Sequence, residues 1–220
     1  MTNQTIAEQA AALAAQFATQ APTDVIEAFT AEQRRLAEAG PPAGVLAPGA
    51  PMPDGQLLDA EGRPTTLTQA RAGRDAVVVF YRGAWCPYCN LTLRTYQREL
   101  VPDLEARGIA LIAVSPQKPD GSLSMQETNE LTYSVLSDPG NQIAGRLGIL
   151  TTPSDAARAA QGKLGLDLTE VNADGTATLP MPTTVLVDAH GAIRWIDVHP
   201  DYTTRSEPPE IIDAVKALLA

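Results

Sequence analysis

Apolar residues recur along this chain with two different periods. From Thr5 to Thr19 and from Thr23 to Ala39 the spacing is helical, with Ile6, Leu13 and Phe17 and then Val25, Ile26, Phe29 and Leu36 forming one apolar side in each stretch. Both segments are rich in Ala, Glu and Gln and carry a Thr near the start, so each predicts a helix. Gly40-Pro41-Pro42 through Pro53-Asp54-Gly55 can continue neither regular structure and predicts a linker. Gln56 to Leu67 predicts a short hairpin that turns near Ala60-Glu61-Gly62. Beyond it the Val-rich run Ala76 to Tyr81 predicts a strand, and Leu91, Leu93, Tyr96, Leu100 and Leu104 return to helical spacing.

The alternation continues with a strand at Ile109 to Ser115, a helix near Ser122 to Glu130, a strand at Tyr133 to Leu136 and a short helix near Gln142 to Leu147. Thr152 to Glu170 is less regular and predicts an insertion with one helix, Pro153 to Gln161. Thr183 to Asp188 and Ile193 to Val198 flank the turn Ala189-His190-Gly191-Ala192 and predict an antiparallel hairpin. Ser206, Pro208 and Pro209 suit the start of a last helix, Glu210 to Leu219. Such alternation favours parallel pairing in an α/β fold. The expected division is an N-terminal helical extension over 1–40 and one main domain over 41–220.

Composition changes this picture little. A chain of 220 residues with 44% apolar content can bury a sizeable core. The net charge of −10 argues against nucleic acid and anionic membrane surfaces as partners. No apolar run reaches the roughly 20 residues of a membrane span, and the Ala-rich start carries Glu8 in place of a basic leader. A cytoplasmic protein is expected. Two cysteines are too few for a disulfide framework, and a Cys-x-x-Cys pair in a reducing compartment points to redox catalysis.

Those cysteines form Trp85-Cys86-Pro87-Tyr88-Cys89, between the Val-rich strand and a helical pattern. Cys86 is therefore expected at an exposed strand-to-helix junction. There the free N–H groups and positive end of the helix should lower its pKa and favour the thiolate. Residues i and i+3 of a first helical turn share a side, so the two sulfurs are within bridging range.

The string Val79-Phe80-Tyr81-Arg82-Gly83-Ala84-Trp85-Cys86-Pro87-Tyr88-Cys89-Asn90 resembles the active-site segment of peroxiredoxin-like proteins of the alkyl hydroperoxide reductase and thiol-specific antioxidant superfamily, which has the thioredoxin fold. The resemblance runs from about Gly49 to the C-terminus. It includes Leu136-Ser137-Asp138 and the segment Met181-Pro182-Thr183-Thr184-Val185-Leu186-Val187-Asp188, which is similar to the cis-proline strand facing the cysteines in thioredoxin-like proteins. The resemblance implies that a thioredoxin-like central sheet is flanked by helices. It implies a thiol peroxidase in which Cys86 is oxidised to a sulfenic acid and Cys89 resolves it to a disulfide. Tyr81, Arg82, Trp85 and a cis Pro182 are expected around the substrate. Two departures stand out: Gly83 and Val79 occupy positions where peroxiredoxins carry Thr or Ser and Pro, and Pro182 is the best match to their late Arg. Arg82 is the candidate replacement for that charge.

The runner-up reading is a thioredoxin-like protein disulfide oxidoreductase, and a third is a non-catalytic interaction protein using the N-terminal helices. No flavin, nicotinamide or metal is expected, because the chain has no Gly-rich phosphate loop and His190 and His199 do not complete a zinc site with the cysteines. Reducing equivalents would come from an external thiol such as thioredoxin or glutaredoxin. The apolar helix faces and the family's habit leave a homodimer as an expectation.

Overall fold

The computed structural model describes residues 4–219. It opens with helices α1 (Ile6–Gln20) and α2 (Thr23–Ala39). Thr5 and Glu8 start α1 as a reciprocal cap, the Thr5 hydroxyl accepting from the Glu8 N–H at 3.1 Å and the Glu8 carboxylate from the Thr5 N–H at 3.0 Å. Next come β1 (Gln56–Leu58), β2 (Pro64–Thr66), α3 (Leu67–Arg71), β3 (Ala76–Phe80), α4 (Pro87–Glu99), α5 (Val101–Ala106) and β4 (Ala110–Ser115). After them follow α6 (Pro119–Thr128), β5 (Ser134–Ser137), α7 (Gln142–Leu147), β6 (Leu150–Thr151), α8 (Asp155–Lys163) and α9 (Leu168–Val171). The chain ends with β7 (Leu179–Pro180), β8 (Thr183–Val187), β9 (Ile193–Val198) and α10 (Pro208–Leu219).

Among the described residues the main sheet runs in the order β2-β1-β5-β4-β3-β8-β9. β3, β4 and β5 pair in parallel, while β8 is antiparallel to β3 and β9 to β8. Every residue of β3, β4 and β8 is buried, which fits the unbroken apolar run of β3 and the mainly apolar or β-branched runs of β4 and β8, since helices cover both sheet faces. Val77, Val79 and Tyr81 face a core shared with α4 and α10, through Leu93, Tyr96, Ile211 and Val215. Val78 and Phe80 face the opposite core, built with α3 and α7. This is a thioredoxin-like α/β architecture.

Several elements depart from expectation. The Pro/Gly-rich stretch after α2 is strapped down: the Leu46 N–H donates to the Leu147 carbonyl at 3.1 Å and the Met52 N–H to the Gly191 carbonyl at 2.8 Å. Val45, Leu46, Ala50 and Met52 pack on the core beneath. The helical pattern expected through Leu104 is split in two at Leu100, and Pro102 sits in the first turn of the second helix, α5, where the missing N–H costs nothing. The same rule moves the start of α6 back to Pro119 and that of α10 to Pro208.

The N-terminal helices lie on this core. Ile6 and Ala10 are buried, with α1 against α4, and Val25 and Leu36 are buried, with α2 against α8. Glu207 holds the start of α1, its carboxylate accepting from the Ile6 and Ala7 N–H groups at 3.0 and 2.9 Å. Glu32, only 3% exposed, accepts from Arg35 Nη2 at 2.7 Å and from the Ser154 N–H at 3.4 Å, tying α2 to the start of α8.

Candidate active site

Strand β3 ends at Phe80, and seven residues later Pro87 begins α4. The turn between them carries Cys86 at the cap position. Its shape is held by backbone and amide contacts: the Cys86 N–H donates to the Gly83 carbonyl at 3.1 Å, and Asn90 Nδ2 donates to the Ala84 and Cys86 carbonyls at 2.6 and 3.0 Å. Asn129, which caps the end of α6, donates to the Asn90 side-chain oxygen at 2.8 Å, and the side chain of Gln117 accepts from the Ala84 N–H. Gly83 is required there. A Cβ would collide with Trp85 Nε1 and lie 2.8 Å from Gln117 Oε1.

Both cysteines are free thiols and both are 1% exposed, so the exposure expected for Cys86 is not found: the N-terminal helices roof the junction. The expected stabilisation of Cys86 by the helix end is not what the geometry provides. Its side chain makes no capping hydrogen bond, and Pro87 removes one of the first-turn donors. Cys86 instead donates to Cys89; this bond, burial and the facing negative charge hold it well above the ordinary thiol range. Burial opposes ionisation of Cys89 as well. The hydrogen bond from Cys86, the Arg205 guanidinium and the Arg82 backbone N–H outweigh it and hold Cys89 well below that range. Arg205 Nη2 sits 3.3 Å from the Cys89 sulfur. One proton shared by the pair, with the charge drawn to Cys89, describes the resting site.

Cys86 opens onto a cavity of about 500 Å³. Its roof comes from α1 and α2 through Leu13, Phe17, Ile26 and Phe29, and its side from Ala157 and Leu166 in and after α8. Arg82, Trp85, Tyr88 and Tyr202 line the end that holds the sulfur. Phe17 and Phe29 pack with ring centroids 6.0 Å apart. The Arg82 guanidinium lies 4.0 Å from the Tyr202 ring and 5.1 Å from that of Trp85, a double cation–π contact. Tyr202 in turn accepts from Gln33 Nε2 of α2 at 3.3 Å and meets Tyr88 edge-on at 6.3 Å.

Comparison with known proteins matches this frame. The family model described as AhpC/TSA family covers residues 48–196, more than half of the chain. The chain belongs to that family. A Mycobacterium tuberculosis protein named as a peroxiredoxin is 29% identical over 117 residues, 53% of this chain and 73% of the relative. The thiol-disulfide oxidoreductase ResA of Geobacillus thermodenitrificans is 28% identical over 154 residues, 69% of each. Among solved structures, peroxidoxin BcpB from Mycobacterium tuberculosis superposes with a TM-score of 0.60 at 17% identity, over 79% of this chain and 98% of that one, a likeness of fold. Most of the cavity roof, carried by residues 13–33, precedes the segment that the AhpC/TSA model matches.

The AhpC/TSA frame sorts the residues singled out in the sequence. Arg82, Trp85 and Cys86 come together at the cavity, and the Arg82 side chain points into the site. Tyr81, expected as a wall, is buried in the core behind the cysteines and does not line the cavity, because the β3 alternation turns it toward α4 with Val77 and Val79. Pro182 also differs from expectation. Its peptide bond is trans, with no cis bond among the described residues, and it is buried off the cavity, one residue beyond the Phe80–Thr183 pair that ends the β3–β8 register. Arg205, Tyr202 and Gln117 were missed. The one local signal was the polar loop Asp201-Tyr202-Thr203-Thr204-Arg205-Ser206 between a strand and a helix, where a Tyr and an Arg are placed to turn inward.

Proposed function

We propose that this protein is a thiol peroxidase that reduces hydroperoxides, with Cys86 as nucleophile and Cys89 as resolving thiol. The supporting observation is that Cys86, and not Cys89, lines a cavity wide enough for a small peroxide but roofed against a folded polypeptide. Within the pair the proton passes from Cys86 to Cys89, and the Cys86 thiolate attacks the terminal oxygen of the hydroperoxide. An S–O bond forms, the O–O bond breaks, and the departing alkoxide or hydroxide takes up a proton from solvent. Arg82, the cation beside Cys86, favours both the thiolate and the charge that grows on the leaving oxygen. The Cys89 sulfur then attacks the sulfenic acid, its proton leaving with the hydroxyl as water, and a disulfide remains. An external dithiol such as thioredoxin or glutaredoxin reopens it, for which the roof over the pair must move aside. A cytoplasmic, reducing setting suits this cycle. A homodimer belongs to the proposal only through surfaces other than the faces of α1 and α2 that pack on their own core.

The second reading, a protein disulfide oxidoreductase, draws support from the ResA relative. Stopped-flow mixing of the reduced protein with hydrogen peroxide, and separately with insulin as a disulfide substrate, separates the two. Rapid oxidation by peroxide with slow insulin reduction is the expected result. The reverse order would transfer the assignment to the second reading.

A further inference from the structure

We propose that the cavity beside Cys86 is a binding site for the uncharged, bulky apolar group of an organic hydroperoxide, and that α1, α2 and α8 are there to build it. The inference rests on the peroxidase reading above. A water molecule takes about 30 Å³ in the liquid, and hydrogen peroxide not much more, so hydrogen peroxide would leave most of 500 Å³ unfilled. The lining contributed by α1, α2 and the α8 region is mainly apolar, with Leu13, Phe17, Ile26, Phe29 and Leu166 outweighing the few polar side chains such as Thr30 and Gln161. Such a surface gains chiefly by contact with hydrocarbon. The reacting end is different: the sulfur, the Arg82 guanidinium and the rings of Trp85 and Tyr202 converge there. A hydroperoxide would place its O–O group at Cys86 and its hydrocarbon under the roof.

Charge narrows the class further. Among the described lining residues the charged side chains are Arg82 and Glu32. Arg82 is already engaged by two aromatic rings at the reacting end. Glu32 is 3% exposed and, although burial works against its charge, Arg35 and Ser154 keep its carboxyl below the usual range. A fatty-acid hydroperoxide would bring a second carboxylate toward this one with no cation to receive it. The fitting substrate is therefore a neutral hydroperoxide with a compact alkyl or aryl group, reduced to its alcohol as the Cys86–Cys89 pair is oxidised to a disulfide and water leaves.

The test compares cumene hydroperoxide, linoleic acid hydroperoxide and hydrogen peroxide in single-turnover oxidation of the reduced protein, for the native chain and for Ala14→Phe. Ala14 lines the cavity from an exposed position on α1, so the larger side chain fills space without crowding the core. Cumene hydroperoxide is expected to react fastest of the three, and the ratio of its rate to that of hydrogen peroxide should fall about tenfold or more in the variant, the worth of roughly two buried methylenes. Thr30→Phe, filling from α2, should lower the same ratio if Ala14→Phe folds poorly. A separate readout needs no turnover: cumyl alcohol should bind Cys86→Ser saturably, with a change in Trp85 fluorescence. A rate ratio unmoved by both fillings, or no saturable binding by a chain whose native form is still oxidised by peroxide, overturns the inference alone. A native protein inert to all three hydroperoxides but active on insulin overturns the peroxidase reading beneath it.

Discussion

Arg205 Nη2 donates to the Cys89 sulfur at 3.3 Å although 116 residues separate them in the chain. Its Nη1 is meanwhile held by the Tyr202 and Thr204 carbonyls, both at 2.5 Å, so the guanidinium is fixed by the same loop that carries Tyr202 to the cavity. That loop is closed on itself by His199, which meets Asp197 at 2.9 Å and Thr204 at 2.8 Å, and by the Ser206 hydroxyl, which donates to Asp197 at 2.8 Å. One polar loop thus sets both the ionisation of the cysteine pair and one wall of the pocket in front of it.

Replacing Arg205 with Met should therefore raise the apparent pKa at which the pair first ionises. A hydrogen bond to a charged group is worth roughly 1.5–3 kcal/mol, which corresponds to about one to two pH units. Ultraviolet thiolate absorbance across a pH titration measures this, and the pH of half-maximal peroxide reactivity should move upward by the same amount. A titration that matches the native one would remove Arg205 from the site.

Gly83→Ala probes the turn. The added methyl meets the Trp85 indole and the Gln117 amide, and one of them must move. Overpacking of this kind costs about 1–3 kcal/mol. Urea unfolding should show that loss, together with altered Trp85 fluorescence in the folded state. Unchanged stability and emission would mean that the indole does not lie over Gly83.

The legible parts of the sequence were those decided by neighbours in the chain. Ala76–Phe80 is an unbroken apolar run and Thr183–Val187 is almost wholly β-branched, so β3 and β8 could be read directly, and the Cys-x-x-Cys pair declared the site. What stayed hidden depends on contacts distant in sequence. Nothing local to Cys86 says that Cys89 will receive the guanidinium of Arg205, and so the charge was expected on the wrong sulfur. The faces of α1 and α2 were evident as apolar. That they would leave a hollow over Cys86 could not be read from periodicity, which says which residues turn inward and not how closely they meet.

The pair also predicts a stability profile. A thiol held below its unfolded value, about 8.5, adds stability that is complete above that pH and is lost as pH falls through the folded value, which is the case of Cys89. Cys86 is held above it, so its contribution is complete below about 8.5 and is lost as pH rises toward the folded value. The two slopes give the reduced protein a maximum near pH 8.5, by about the unfolded thiol value. Urea midpoints of the native chain, measured against a Cys86→Ser/Cys89→Ser variant at several pH values, should show this hump in the difference. A flat difference would mean that the sulfurs are not coupled as described.

The roles of the two sulfurs can be separated. In the resting pair the charge lies on Cys89, and thiolate character alone would make that residue the nucleophile. Access argues the other way, since the cavity reaches Cys86 and the proton between them moves along an existing hydrogen bond. In Cys89→Ser, peroxide should leave one sulfenic acid per chain on Cys86, captured by dimedone and located by peptide mass. Catalytic turnover should then drop to the slow rate at which an outside thiol reaches a buried group. Cys86→Ser should consume no peroxide beyond the rate of a free thiol. If dimedone were instead to label Cys89 rapidly in Cys86→Ser, while Cys89→Ser stayed unlabelled, access would not be the deciding factor, and nucleophile and resolving thiol would exchange places.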